Sequence, residues 1–337
     1  MVCRMRDCKI TIADVADALH VSKTTVSRAI SGKGRISDET RQRVLSYIEA
    51  NDFKPNMIAK GLAQKKTYNI ALVIPGDCNL VDMPFFQNSM QGICDEASAN
   101  DYDVMLVPVT AHHSENLERM IANNKVDAVI LSRSLVKDTN AALLKEERIP
   151  FVMMGTSRDA KILQVDNNHR AGCCALVSRM INSGTTRIGL IGGSKNYIVN
   201  RIRKQGYEDA FRAASIEPNM ALCIEDCDSI KKIASATEKL VQAGVGAIVC
   251  MDDFVCSVAL QVLAEKKIQV PQQIQVASFY DSTLLKHAKP AVTSLLFDDR
   301  ALGALTCKIL LQYIQGIKVE SRTLLGYKLV IRESTLF

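Results

Sequence analysis

The sequence predicts an all-α helix-turn-helix headpiece followed by an α/β core of two halves, each built on a parallel sheet. Three observations lead there. The N-terminal fifth of the chain carries the whole net charge. Residues 11–50 hold three short apolar periodicities of helical type, each opened by a capping residue. Beyond residue 67, apolar runs of strand length alternate with helical stretches.

The charge is the simplest of these. Residues 1–66 contain 13 Lys and Arg against 7 Asp and Glu, and the remaining 271 residues contain 29 of each. The formal net charge of +6 therefore lies in the first segment. Solubility does not explain such asymmetry, whereas a polyanionic partner for that segment does. The rest of the composition is that of an ordinary water-soluble chain of two or three domains, 337 residues with 47% hydrophobic and 23% charged. No apolar run reaches the ~18 residues of a membrane span, so no membrane partner is expected. The start, MVCRMRDCKIT, lacks the apolar stretch of a secretory signal, which points to the cytoplasm. The eleven cysteines are odd in number and scattered, several within apolar runs such as those around Cys250 and Cys307. Reduced core thiols are expected. The close pairs Cys173/Cys174 and Cys223/Cys227 lack a CxxC spacing or a nearby His, so neither a metal nor a redox cofactor is expected.

In the headpiece, Thr11 and Asp14 have capping-box spacing and open a first helix. Ile12, Val15, Ala16 and Leu19 make its apolar face, and His20 falls in the turn. Ser22 caps a second helix, with Val21 and Val26 placed to form a hydrophobic staple. Val26 and Ile30 face inward there, while Lys23, Thr24, Ser27, Arg28 and Ser31 share the other face. Lys23 and Thr24 occupy the first turn, the part of a helix-turn-helix that enters the major groove, and Arg28 lies one turn on beside Thr24. Lys or Arg donates to guanine, and the Thr methyl meets a thymine methyl. The competing reading is a solvated helix face, which the local charge excess disfavours. Lys33, between Gly32 and Gly34, sits in a basic loop suited to phosphate. Ser37 caps a third helix over 38–50, with Val44 and Ile48 on its core side.

Residues 54–66, KPNMIAKGLAQKK, could form two helical turns from Pro55. A helix shorter than ~12 residues is marginal in water, and Gly61 costs about 1 kcal/mol relative to Ala. The segment is expected to be helical only when docked. The plainer alternative is an interdomain linker.

In the core, strand-length runs occur at 69–74, 103–107, 127–131, 151–154, 188–193, 246–251 and 274–279. With helices between them they predict parallel sheets covered on both faces, with ligands at the carboxyl ends of the strands. Gly189, Gly192 and Gly193 do not have GxGxxG spacing. No GxSxG, HExxH or Walker sequence appears, and His112, His113, His169 and His287 have no constellation around them. No catalytic residue is therefore proposed.

The run TIADVADALHVSKTTVSRAISGKGRISDETRQRVLSYIEANDFKPNMIAKGLA resembles the DNA-binding headpiece of the lactose/galactose repressor family. The resemblance continues through PFFQNSMQGI at 84–93, RIGLIGG at 187–193, VTSLL at 292–296 and VIREST at 330–335, and so spans essentially the whole chain. It implies a homodimeric transcriptional regulator, usually a repressor, with a headpiece (1–53), a hinge helix or linker (54–66) and a periplasmic-binding-protein-like core (67–337). The core would cross between its subdomains three times, the first comprising about 67–165 and 293–325 and the second about 166–292 and 326–337. The partners implied are pseudo-palindromic double-stranded operator DNA and a small, carbohydrate-related effector.

Residue by residue, the resemblance assigns Lys23, Thr24, Ser27 and Arg28 to the major groove, and Thr11, Ser22, Thr25, Lys33 and Arg35 to phosphates. Asn56, Ala59 and Leu62 match hinge positions, Leu62 being the minor-groove wedge. Gly61 departs from the larger residues usual there. Phe85, Arg203, Asp252, Tyr280 and Phe297 fall at effector positions, and an Arg fork suits vicinal hydroxyls or a carboxylate. Phe86 is either a second apolar wall or core. Two carboxylates common in relatives are replaced by Gly155 and Tyr280. This leaves open an effector other than a typical free sugar, or weakened ligand control. The tetramer-forming C-terminal heptads of a few members are not seen after VIRESTLF, which favours a dimer. A solute-binding protein without DNA function explains the core but not the charged headpiece. A sugar- or nucleoside-processing enzyme lacks its catalytic residues.

Overall fold

Three capped helices form the N-terminal unit. Helix α1 (Ile12–Ala18) starts at Thr11, whose amide donates to the Asp14 carboxylate at 2.7 Å in a complete capping box. Helix α2 (Lys23–Ser31) starts at Ser22, and α3 (Asp38–Ala50) at Ser37, whose hydroxyls accept the Thr25 and Thr40 amides at 3.0 and 3.2 Å. These are the caps expected from sequence. Each satisfies an amide that the helix itself cannot, worth about 1 kcal/mol. Val15, Ala16, Val26, Ala29 and Val44 are buried together, so all three helices contribute to one small core.

The computed structural model describes residues 10–32, 34–51, 61–62, 64–77, 83–110 and 113–336. The chain divides into two units, Met1–Thr67 and Tyr68–Phe337. Of the expected 54–66 segment, Gly61, Leu62 and Gln64 are described as helical. Pro55, Asn56, Ala59, Lys33, His112 and the side chain of Ser31 lie outside the described residues.

The second unit begins with β1 (Asn69–Pro75), α4 (Pro84–Ala99), β2 (Asp103–Val109), α5 (Glu115–Ala122), β3 (Ala128–Leu131), α6 (Thr139–Glu146), β4 (Phe151–Met154) and β5 (Leu163–Asn167). It continues with α7 (His169–Asn182), β6 (Ile188–Ile191), α8 (Ile198–Ala213), β7 (Cys223–Ile224), α9 (Ile230–Gln242), β8 (Ala247–Cys250), α10 (Asp253–Glu265), β9 (Gln275–Ser278), α11 (Thr283–Lys286) and β10 (Thr293–Leu296). It closes with α12 (Asp299–Ile314), β11 (Arg322–Leu325) and β12 (Lys328–Val330).

Two six-stranded sheets result, ordered β11-β5-β4-β3-β1-β2 and β12-β10-β9-β8-β6-β7. All pairings are parallel except β10 with β12. Successive residues of a strand serve opposite faces. Ile70 and Leu72 join one core with α4 and α12, whereas Ala71 and Val73 join another with α5 and α6. The second sheet repeats the scheme, with Leu190 and Val249 toward α7 and α8, and Ile248 and Cys250 toward α9 and α10. Both faces are covered, which is why the strands read as unbroken apolar runs.

Helices α4 and α12 meet at Gly92 and Gly303. A Cβ at Gly92 would stand 2.0 Å from Arg300 O, and one at Gly303 2.0 Å from Ser89 O. This contact ties α12, which follows the second sheet in sequence, to the first subdomain.

The crossings need correction. β5 runs to Asn167, so the first falls after 167 rather than near 165. Residues 293–296 belong to the second sheet, because Ser294 pairs with Ser278 and Val330, so the second crossing follows Leu296 rather than 292. The third lies between β11 and β12, around 326. Strands β5, β7, β10, β11 and β12 are absent from the strand runs picked out by hydropathy.

Candidate functional sites: the cationic helix and the cleft

Period 3.6 sorts α2 cleanly. Val26 and Ala29 are buried, whereas Lys23, Thr24, Ser27 and Arg28 are exposed on one face. There is no acidic residue in the first turn. Arg28 runs over the backbone of Gly34, its Cδ 3.0 Å from where a Cβ there would sit. Among the expected phosphate contacts, Arg35 is exposed, while Thr11, Ser22 and Thr25 are engaged in caps. Leu62 is 78% exposed, the most exposed large apolar side chain among the described residues.

In the second unit the order of each sheet reverses beside its first strand, at β1/β3 and at β6/β8. Such switch points open a crevice at the carboxyl ends of the strands. The structure brings Arg203, Asp252 and Tyr280 together there. Arg203 is 7% exposed, and its Nη1 donates to Met251 O at 2.8 Å. Asp252 caps α10 by accepting the Val255 amide at 2.9 Å. Burial raises the Asp252 carboxyl, opposed by that amide and by the Arg203 charge. Burial likewise raises Asp253.

Tyr280 donates to Asp299 at 2.5 Å, both being buried. Burial pushes the Asp299 carboxyl up to about 6, against the hydrogen bonds and the Arg203 charge that favour ionisation. Phe297 is buried and meets the His169 ring edge-on, with centroids 4.6 Å apart. Phe85 is half-buried and packs against the apolar cores of both subdomains, whereas Phe86 meets it edge-on at 5.1 Å.

Several members were not found from sequence. His169, Asp166, Asp253 and Asp299 all join the cluster. His169 Nε2 lies 3.4 Å from Asp166 Oδ1, and Thr156 donates to Asp166 at 2.8 Å. Burial and the nearby Arg203 charge lower the His169 pKa, so the imidazole is neutral near pH 7. Burial pushes Asp166 up, but hydrogen bonds from His169, Thr156 and the Asn167 amide outweigh it and hold the carboxyl below its ordinary value. Ser132 Oγ, the side-chain amide of Asn167, His169 Nδ1 and Arg203 Nε are buried and have no hydrogen-bond partner among the described residues. Buried polar atoms without partners are costly, and these stand at or near strand ends where a polar ligand would satisfy them.

Gly155 has φ +131°, and a Cβ there would lie 3.0 Å from Ser134 Oγ. A side chain at this position would be strained, since L residues rarely adopt that conformation. Among the described residues, no group of three or more His, Cys, Asp or Glu could hold a metal ion. None of the described helices is long and apolar enough to cross a membrane. The described cysteines are free, Cys173, Cys227, Cys250, Cys256 and Cys307 being buried.

A helix-turn-helix unit carrying the net charge, followed by a two-sheet body with a polar cleft, defines a DNA-binding regulator with a ligand-binding body. Residues 11–56 match the model of bacterial regulatory proteins of the lacI family, and residues 177–335 that of the periplasmic binding protein-like domain. The HTH-type transcriptional regulator MalR of Streptococcus pneumoniae is 30% identical over 332 residues, covering 95% of this chain and 99% of that protein. A structure of the transcriptional regulator CelR–cellobiose complex superposes with TM-score 0.72 at 27% identity, covering 96% of this chain and 99% of that one. The lac repressor dimer bound to operator and an anti-inducer shares the fold, with TM-score 0.77 at 23% identity over 97% and 99% of the two chains. The chain belongs to the lacI family of bacterial regulatory proteins, and it is a DNA-binding transcriptional regulator.

Proposed function

We propose that the chain is a dimeric repressor whose operator affinity is set by a small polyhydroxylated molecule in the cleft of its second unit. The observation that carries the DNA half is the exposed Lys23-Thr24-Ser27-Arg28 face of α2, on the segment that holds the +6 charge. In this reading Lys23, Thr24, Ser27 and Arg28 meet base edges, Lys33 and Arg35 meet phosphates, and Thr11, Ser22 and Thr25 hold helix ends that present backbone amides to phosphates. Residues 54–66 act as the hinge, with Asn56 and Ala59 on the groove side and Leu62 as the apolar wedge that kinks the duplex. A dimer would place two headpieces on the half-sites of a pseudo-palindrome.

The partnerless polar atoms around Arg203, Asn167 and His169 support a ligand rich in hydroxyls. So does the cellobiose complex of the related CelR, as a property of that protein. Phe85 and Phe297 supply apolar walls, and Arg203, Asp252 and Tyr280 the polar contacts. Ligand binding would bias the hinge between coil and helix, a coupling typically of about 1–3 kcal/mol. The chain acts by binding rather than catalysis, in the cytoplasm where its DNA lies.

The test is a gel shift of the full chain on the DNA flanking its gene, at two salt concentrations and with a panel of sugars. A specific, salt-sensitive complex altered by one of the sugars is expected. The absence of any specific complex, with and without sugars, would sink the reading.

A further inference from the structure

The cleft is joined across its two walls by the protein itself. At its mouth, residues 133–136 after β3 meet residues 196–198 at the start of α8. The Val136 amide donates to Asn196 O at 2.9 Å, and the Ile198 amide donates to Ser134 O at 3.2 Å. Leu135 and Tyr197 form an antiparallel bridge. Arg133 donates to the Tyr197 hydroxyl at 3.2 Å, with its guanidinium 5.6 Å from the centre of that ring. Arg133 is itself held by both oxygens of Asp77, at 2.9 and 3.0 Å. Deeper in, the Tyr280 hydroxyl, at the end of the second subdomain's β9, reaches Asp299, the first residue of α12 on the first subdomain. These contacts join the two subdomains directly, backbone to backbone at the strap and side chain to side chain at Tyr280 and Asp299.

We infer that Tyr280 with Asp299, and the 133–136/196–198 strap, form an intramolecular latch that holds the cleft closed in the absence of a ligand. The Tyr280 hydroxyl plays the part that a ligand hydroxyl would otherwise play, bridging the two walls at a buried carboxylate. The strap closes the mouth with backbone hydrogen bonds, which no side-chain rotation releases. The latch has a regulatory consequence. A ligand enters only the open fraction, so its apparent affinity is reduced by that fraction. Loosening the latch raises ligand affinity without altering any ligand contact at the strap. The inference stands whatever the chemical class of the ligand, because the latch is made within the chain.

Amide hydrogen exchange of the full, ligand-free, DNA-free chain tests it. The Val136 and Ile198 amides should be protected, although Val136 lies in a loop and Ile198 opens α8, where an amide has no partner within its own helix. Tyr280→Phe, which keeps the ring and removes the hydroxyl, should lower protection at both by about tenfold, with the amides of Leu72 and Val249 in the sheets unchanged. Arg133→Ala should do the same at the strap, and decides the matter if Tyr280→Phe weakens the whole fold. Exchange of Val136 and Ile198 at free-loop rates in the unmodified chain would overturn the inference. So would protection that neither substitution changes.

Discussion

The Ser22 hydroxyl accepts the Thr25 amide at 3.0 Å, and its oxygen lies 2.9 Å from Thr25 Oγ1. Two side chains assigned to phosphate by resemblance are thus bound to each other at the start of α2. Their first task is to fix the end of α2, which in turn fixes where Lys23 and Thr24 point. Ser22→Ala should cost about 1 kcal/mol of headpiece stability and lower affinity for all duplexes by a similar factor. Binding titrations on matched and single-mismatch duplexes check this. A changed base preference would mean that Ser22 reads sequence itself.

Leu62 stands 78% exposed in helical backbone. Its removal has little folded packing to lose, and under the proposed function it loses the wedge into the duplex. Leu62→Ala should reduce operator bending in a circular-permutation gel and weaken binding, leaving ligand binding to the body intact. Unchanged bending would show that the residue does not wedge between base pairs.

The 2.0 Å clearance at Gly303 leaves no room for a methyl group against the Ser89 carbonyl. Gly303→Ala should force α4 and α12 apart, at a cost of at least 1–3 kcal/mol by the usual scale of overpacking, about several degrees of Tm. Differential scanning calorimetry reads it. A melting temperature equal to that of the parent would show that the two helices slide without cost.

Asp299 gives the body a signed pH dependence. Its carboxyl is raised by burial from 3.8 to about 6 in the folded chain. The folded state therefore holds a proton that the unfolded state has released, and stability falls as pH rises between about 4 and 6. Asp252 and Asp253, also raised by burial, act in the same direction. Comparison with Asp299→Asn isolates the one group. On going from about pH 7 to about pH 4.5, the parent should gain Tm relative to the Asn variant. Parallel profiles would mean that Asp299 is ionised throughout.

The headpiece was legible because its signals are local. Thr11 and Asp14, Ser22 and Val26, and Ser37 and Val44 sit within a few turns of each other, and caps and period 3.6 report them directly. The buried strands were legible where both faces are apolar, as in β3 and β8. They were not legible where polar side chains are buried by distant partners. Strand β5 buries Gln164 and Asp166, because Ser157, Thr156 and His169 pair with them, and buries Asn167 with its side-chain amide unpartnered. Strand β7 has two residues, and β11 and β12 are half-exposed edges. The cleft has no sequence periodicity at all. Tyr280 finds Asp299 across a subdomain crossing, and His169 gains a role only from Asp166 and Phe297. Resemblance supplied Arg203, Asp252 and Tyr280, but only the folded chain shows that Tyr280 is already paired.

The proposed function requires that the exposed face of α2 read bases. The most direct measurement selects binding sites from random-sequence duplexes with the parent chain and with Lys23 and Thr24 variants, then measures affinities for all single-base changes. A pseudo-palindromic site is expected, with preference at one or two symmetric positions shifted by ~1–3 kcal/mol in the variants and the other positions unchanged. Uniform weakening across all sequences would contradict the claim and make Lys23 and Thr24 backbone contacts.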